Sequence, residues 1–170
     1  MASDHELVRA ARRGSPAALA SIFDRHWPTV WRAAYAVTRR RELADDVAQD
    51  AFLRAASALE RFDERRSLAP WLARIAVNRA IDLMRRERQT TPMADIEAQA
   101  ASDRGEDREL HDAVAALPLE RRTVVVLHFF LGFTLEESAE ILDIPAGTVA
   151  SRLSRALTSL RAALEAANHV

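Results

Sequence analysis

Thr148, Ser151, Arg152 and Arg155 follow Pro145 at three- and four-residue spacings, so a helix starting there groups their side chains. Their chemistry suits nucleic acid. Hydroxyls can contact phosphate oxygens, and guanidinium forks reach either phosphates or the O6 and N7 atoms of guanine. The first backbone amides of such a helix lack intrahelical partners and favour an anion. Catalytic chemistry has no comparable constellation. His5, His26, His111, His128 and His169 are scattered, and no nucleophile–base motif or phosphate-binding glycine loop is present. The absence of cysteine excludes disulfides and thiolate metal sites. Neither enzyme activity nor a metal or other cofactor is expected.

The elements around that helix complete a pattern. Gly132 is a natural helix stop, and Thr134 with Glu137 three residues later forms a capping box. A short helix carrying Leu135, Ala139, Ile141 and Leu142 follows, then a break at Asp143-Ile144. The last helix keeps Ala146, Val149, Leu153, Leu157 and Leu160 on one side. Short helix, tight turn and polar-faced second helix make a helix-turn-helix, whose second helix can enter a major groove. Upstream, a helix from Glu106 reaches Leu117-Pro118. The next begins at Pro118, contains Val124, Val125, Val126, Leu127, Phe129 and Phe130 before Gly132, and is expected to be largely buried.

The N-terminal half predicts four helices closing one core. Ser3 and Glu6 cap the first, which ends at Gly14, and Ser15-Pro16 opens the second. Leu19, Ile22, Phe23, Val30 and Ala34 form its apolar face, with Trp27 and Trp31 on the same side and Pro28 a bend or interruption. A third helix runs from Arg41 to Leu59 on Leu43, Val47, Ala51 and Ala55, with Phe52 and Leu59 extending its buried surface. A loop covers Glu60 to Ser67, and a fourth helix, capped by Ser67, ends in Arg85, Arg86 and Arg88. Trp71 sits on an apolar stripe and is expected to pack in the core.

Charge and composition divide the chain in the same places. Of 170 residues 49% are hydrophobic, with 4 glycines and 6 prolines, a balance favouring helix. Every basic residue is arginine, as a G+C-rich genome would produce. Residues 1–90 carry 17 arginines against 12 acids, residues 91–118 carry 2 against 7, and residues 119–170 carry 5 against 6. An acidic stretch without hydrophobic periodicity therefore separates the halves, and its charge would repel phosphate. The expected architecture is all-α: an N-terminal four-helix module over 1–88, a flexible linker over 89–105, and a helix-turn-helix module over 106–170. No apolar run reaches membrane-spanning length and no secretion signal opens the chain, so a cytoplasmic protein is expected.

Two separated segments resemble the extracytoplasmic-function (ECF) group of bacterial sigma-70 factors. The first runs from Ala44-Asp45-Asp46-Val47-Ala48-Gln49-Asp50 through Phe52 and Leu53 to Ala55, resumes at Leu59-Glu60-Arg61-Phe62-Asp63, and continues from Trp71 to Asp82 and Arg85-Arg86. The second joins Leu117-Pro118, Phe129, Leu135 to Leu142, Ile144 to Val149, and Ser151-Arg152-Leu153. The resemblance implies a subunit that directs RNA polymerase core to promoters, with family regions two and four as its modules. It assigns Asp45, Asp46, Gln49, Asp50 and Phe52 to a coiled coil of the largest-subunit clamp. Arg61, Phe62, Ser67, Arg74, Asn78, Arg79, Asp82, Arg85 and Arg86 fall to the melted minus-ten element. Thr134, Gly147, Thr148, Ser151, Arg152 and Arg155 fall to duplex DNA at minus thirty-five. The implied partners are polymerase core, promoter DNA in both forms, and an anti-sigma factor.

This sequence departs from the family pattern at Ala150 and Leu157, where cations are frequent, which should weaken phosphate contacts, and at Asp143, where a turn glycine is common, which implies a left-handed or adjusted backbone there. Two other readings share the helix-turn-helix. A dimeric repressor or activator leaves the Asp46–Phe52 surface unexplained, and an adaptor would bind another regulator without directing polymerase.

Overall fold

The computed structural model describes residues 2–90 and 106–167. In chain order the helices are α1 (Asp4–Arg12), α2 (Pro16–Thr38), α3 (Arg41–Ala58), α4 (Leu68–Thr90), α5 (Glu106–Ala116), α6 (Leu119–Val125), α7 (Leu135–Leu142) and α8 (Ala146–Ala167). A 3-10 turn (Leu59–Arg61) follows α3, and a π-helical turn (Val126–Phe130) continues α6. The all-α expectation holds, with an N-terminal bundle and a C-terminal helix-turn-helix. Because α4 runs through Thr90, only 91–105 of the expected linker remains, and that segment lies outside the described residues.

Local chemistry sets the boundaries. Ser3 Oγ accepts from the Glu6 amide at 3.3 Å while the Ser3 amide donates to Glu6 Oε2 at 2.7 Å, a complete capping box. Ser15 caps α2 through the Ala18 amide at 3.3 Å, and the helix continues through Pro28 without interruption. Thr134 and Glu137 repeat the reciprocal cap on α7. Gly132 takes φ 73° after the π-helical turn, and Asp143 takes φ 54° at the end of α7, the left-handed conformation its place in the turn demands.

The N-terminal core joins α1 to α4. Ala33, Ala34, Ala44, Ala48, Ala51, Ala73, Ala76 and Ala80 are fully buried at its contacts, and their small side chains let the helices approach closely. Val8, Val30, Val37, Val47, Leu72 and Val77 fill the space between. A second core links α5, α6 and α8 through Val114, Val124, Val125, Val149, Leu153, Ala156 and Leu160.

Three expectations of burial shift. Leu19 and Phe23 lie at the rim of a surface groove, because the turn from α2 to α3 places Phe52 beside Phe23. On α8 Ala156 is buried and Leu157 is exposed, since the 3.6-residue period rotates the stripe by one position there. Phe129 is 56% exposed and Phe130 is also exposed, because the π-helical turn changes the register of the segment relative to the core.

The modules pack against each other. α7 presents two faces: Leu135 and Ala139 join the C-terminal cluster, while Ile141, fully buried, joins Leu127 and Phe133 in the N-terminal one. Burying an isoleucine contributes about 1.5–3 kcal/mol. Arg122 of α6 donates from Nε to the Ala36 carbonyl at 2.9 Å and from Nη2 to the Val37 carbonyl at 3.4 Å. Arg39 donates to the Ala115 carbonyl. Arg66, in the loop before α4, pairs with Glu140 of α7 at 2.5 Å, and Arg74 of α4 lies 3.8 Å from Asp143, the residue that ends α7.

Candidate nucleic-acid interface

Helix α3 leaves Asp45, Asp46 and Gln49 exposed, because its buried side is given to Ala44, Val47, Ala48 and Ala51. These residues are not equally available. Asp45 Oδ1 accepts from the Trp31 indole at 2.6 Å. Asp50 Oδ2 takes Arg54 Nε at 2.9 Å and lies 2.8 Å from Arg79 Nε on α4. Phe52 is half-buried and packs on Phe23, with ring centroids 4.8 Å apart. Next to it Leu53 is 70% exposed. Leu19, Phe23, Phe52 and Leu53 edge an apolar groove of about 500 Å³ that also touches Gln49 and Leu59. Helical spacing had placed Leu19 and Phe23 in the core. Leu53 falls outside the four-residue series Leu43, Val47, Ala51 and Ala55, and that offset is the sequence signal of its exposure.

The loop between α3 and α4 is shaped from below. Phe62, expected on the DNA side, is 6% exposed and packs on Trp71 at 4.9 Å. Its ring is an internal prop for the loop, and Trp71 is half-buried in line with its apolar stripe. Arg12 of α1 donates twice to the Leu59 carbonyl at 3.0 Å, and also to the Phe62 carbonyl and Glu64. Arg9 adds a 2.8 Å bond to Glu64, which holds that carboxyl below its ordinary range. Sequence reasoning missed this clasp, because its partners stand 47 to 55 residues away and leave no periodic trace. Asp63 accepts the Arg65 side chain and the Arg65 amide at 3.0 Å, which lowers its carboxyl to about 2. Arg61 and Ser67 remain exposed on the loop.

On α4, Arg74, Asn78 and Asp82 recur every four residues, and Asn78, Asp82, Arg85 and Arg86 are exposed. Arg79 points elsewhere, toward Asp50. The surface therefore offers an amide, a carboxylate and guanidinium groups beside a braced loop. Arg74 and Arg66 at its edge face α7.

At the start of α8, Gly147 is exposed, with open space where a side chain would project. Thr148 is half-buried, and the exposed Ser151 donates its hydroxyl to the Thr148 carbonyl at 3.0 Å, keeping lone pairs free for a donor. Arg155 is exposed, while Arg152 pairs with Glu120 at 3.2 Å. Thr134 uses its hydroxyl and amide in the α7 cap. His128, at the edge of the core, places Nδ1 2.8 Å from the Phe133 carbonyl. Among the described residues no group of His, Asp and Glu could hold a metal ion, and no helix is long and apolar enough to cross a membrane.

Comparison with known proteins agrees with this division. Residues 22–90 match the model of sigma-70 region 2 and residues 107–160 that of sigma-70 region 4. The ECF RNA polymerase sigma factor SigW of Bacillus subtilis is 30% identical, the match spanning 91% of this chain and 92% of the relative. Among solved structures, CnrH in complex with the cytosolic domain of CnrY is similar with TM-score 0.74 and 29% identity, covering 96% of this chain and 97% of CnrH. The sigma factor RpoE in complex with the anti-sigma factor NepR, from Bartonella quintana, gives TM-score 0.73 and 26% identity over 85% of this chain and 95% of RpoE. With both region models matched in order along one helical chain, the protein belongs to the ECF group of the sigma-70 family of RNA polymerase sigma factors.

Proposed function

We propose that this sigma factor holds polymerase core chiefly through α3, captures the melted minus-ten strand with the 61–67 loop and α4, and reads duplex DNA with the start of α8. The observation that carries the reading is Leu53, bared at 70% beside Asp46 and Gln49. A large apolar side chain next to an acid–amide face suits a protein partner that covers the first and hydrogen-bonds the second. The resemblance names the clamp coiled coil of the largest subunit as that partner. Asp50 supports this surface from behind through its pairing with Arg79, and Asp45 through Trp31.

Strand capture rests on the α4 stripe. Asn78 can hydrogen-bond base edges, Asp82 can accept from a base amine, and Arg85 and Arg86 can hold phosphates. The braced loop with Arg61 and Ser67 flanks a space for an unstacked base. Binding energy alone drives opening, so no nucleotide hydrolysis enters. A role at RNA polymerase supports a cytoplasmic location. An anti-sigma factor is the regulatory partner, supported by the likeness to RpoE, whose structure was solved with one.

Reconstitution with purified core polymerase tests the reading. Wild-type protein should confer promoter-directed transcription, whereas Leu53→Asp should cut core affinity at least tenfold with the helical content kept. Full core binding by Leu53→Asp would remove α3 from the polymerase interface.

A further inference from the structure

The loop between α3 and α4 is held at its stem by a helix that the region 2 match, which begins at residue 22, does not include. The 3-10 turn that ends α3 leaves carbonyls in need of donors. The Leu59 carbonyl takes the Phe62 amide at 3.1 Å and, from α1, both Nε and Nη2 of Arg12 at 3.0 Å. Nη2 also donates to the Phe62 carbonyl, and Nη1 to Glu64 Oε1 at 2.5 Å. One guanidinium thus ties residues 59, 62 and 64 together. Its planar fork aims several donors at separate acceptors, which the point charge of a lysine does not do. α1 is itself fixed, since Asp4 accepts from Arg25 Nη1 at 2.6 Å and lies 3.0 Å from His26 Nε2 on α2. From the other side Phe62 seats on Trp71 of α4. Beyond the stem the chain is less confined. Arg65 and Ser67 are exposed, and a recess of about 430 Å³, lined by His5 and Val8 of α1 and by Phe62, Ser67 and Ala69, leaves space beside the tip.

From this geometry we infer that Arg12 is a positioning residue for minus-ten recognition: by fixing the 59–64 stem it sets where Arg61 and Ser67 stand relative to Asn78, and with that which unstacked base the loop accepts. The inference rests on the assignment of the loop and α4 to the melted strand. Its physics is preorganisation. Choosing one base over another requires donors and acceptors that are in place before the base arrives. A loop that re-forms around any base gives affinity without choice. Arg12 is spent on the loop's own carbonyls and on Glu64, so its loss changes selectivity without stripping a phosphate contact. Arg9 works on the same stem from the rim of α1, through its 2.8 Å bond to Glu64.

Holoenzyme assembled from core polymerase and the full chain, transcribing a promoter library randomised at the minus-thirty-five and minus-ten elements, reads base preference position by position from the sequenced transcripts. Arg12→Lys keeps the positive charge and drops the fork. A base contact in a specific site discriminates by about tenfold, so in Arg12→Lys the preference at one minus-ten position should flatten roughly threefold or more. Preference in the minus-thirty-five element and affinity for core polymerase should stay as in wild type. Arg9→Ala changes a side chain that is 63% exposed and should flatten the same position by a smaller factor, which keeps the test decisive if Arg12→Lys folds poorly. A clasp that only stabilises the fold would lower Tm and transcript yield and leave the preference ratios untouched. That result in both variants overturns the inference. Ser67→Ala and Asn78→Ala separate it from the reading beneath it, since each should alter minus-ten preference. If they do while Arg12→Lys and Arg9→Ala do not, positioning by α1 is wrong and strand capture stands. If all four proteins keep the wild-type preference, strand capture fails and takes the inference with it.

Discussion

Asp50 on α3 and Arg79 on α4 form an ion pair, Oδ2 to Nε 2.8 Å, joining a carboxylate expected at the polymerase to a guanidinium expected at the DNA. Each is half-buried, and Asp50 also holds Arg54. The pair ties α3 directly to the helix that carries Asn78. Asp50→Ala should therefore cost about 1 kcal/mol, seen as a fall in Tm of roughly 2–4 °C. A wild-type melting curve would show that the pair contributes nothing to the packing of α3 on α4.

Glu120 restrains Arg152 at 3.2 Å, whereas Arg155 is exposed. In duplex promoter binding, Arg155→Ala should lower affinity and reduce the log–log salt slope by about 0.9 if it holds one phosphate. Arg152→Ala should have a smaller effect in the wild-type background than in Glu120→Ala. Fluorescence anisotropy across a salt series measures the wild type and the four variants, and equal losses from Arg152→Ala in both backgrounds would show that Glu120 does not compete.

Asp63 is held at about 2 by its side-chain and backbone bonds from Arg65. A folded-state value below the unfolded one favours the charged form. The loop contact is thus complete above the ordinary aspartate range and is lost as pH falls toward 2. Carboxyl carbon NMR should show this low titration, and Arg65→Ala should return it toward about 3.9. An ordinary titration in the wild-type protein would mean that the Asp63–Arg65 ring does not persist in solution.

Gly132 adopts φ 73° with open space around its α-carbon. Gly132→Ala meets no clash, so its effect isolates backbone strain: a loss of about 1–2 kcal/mol in chemical denaturation. A neutral substitution would mean that the turn before Phe133 relaxes to a right-handed conformation.

The sequence was most informative where structure is local. Ser3, Ser15 and Thr134 announced helix starts, and Gly132 announced a left-handed end, because caps and turns act within a few residues, whereas Asp143 stood out only against the family pattern. Burial was legible where the helical period ran undisturbed, as for Val47, Ala51 and Ala55. It failed where the period slipped, exchanging Leu157 for Ala156 and exposing Phe129. The contact of α7 with α4 was hidden for another reason. Ile141 reads as part of the same apolar stripe as Leu135 and Leu142, and periodicity does not say that a short helix serves two cores. Arg12 was invisible to any local reading, since a surface arginine becomes a loop clasp only when distant carbonyls arrive.

The π-helical turn over Val126–Phe130 closes with the Leu131 amide on the Val126 carbonyl at 3.0 Å, a span of five residues instead of four. It amounts to a one-residue insertion absorbed into a helix. Deleting a single residue there would give an ordinary α-helix whose downstream part is rotated by roughly 100°. Phe129 and Phe130 would swing to new azimuths, and Phe133 would leave its amide contact with the Leu127 carbonyl. Length variation at this point would thus act as an angular adjustment, re-aiming the recognition helix without altering any residue on it.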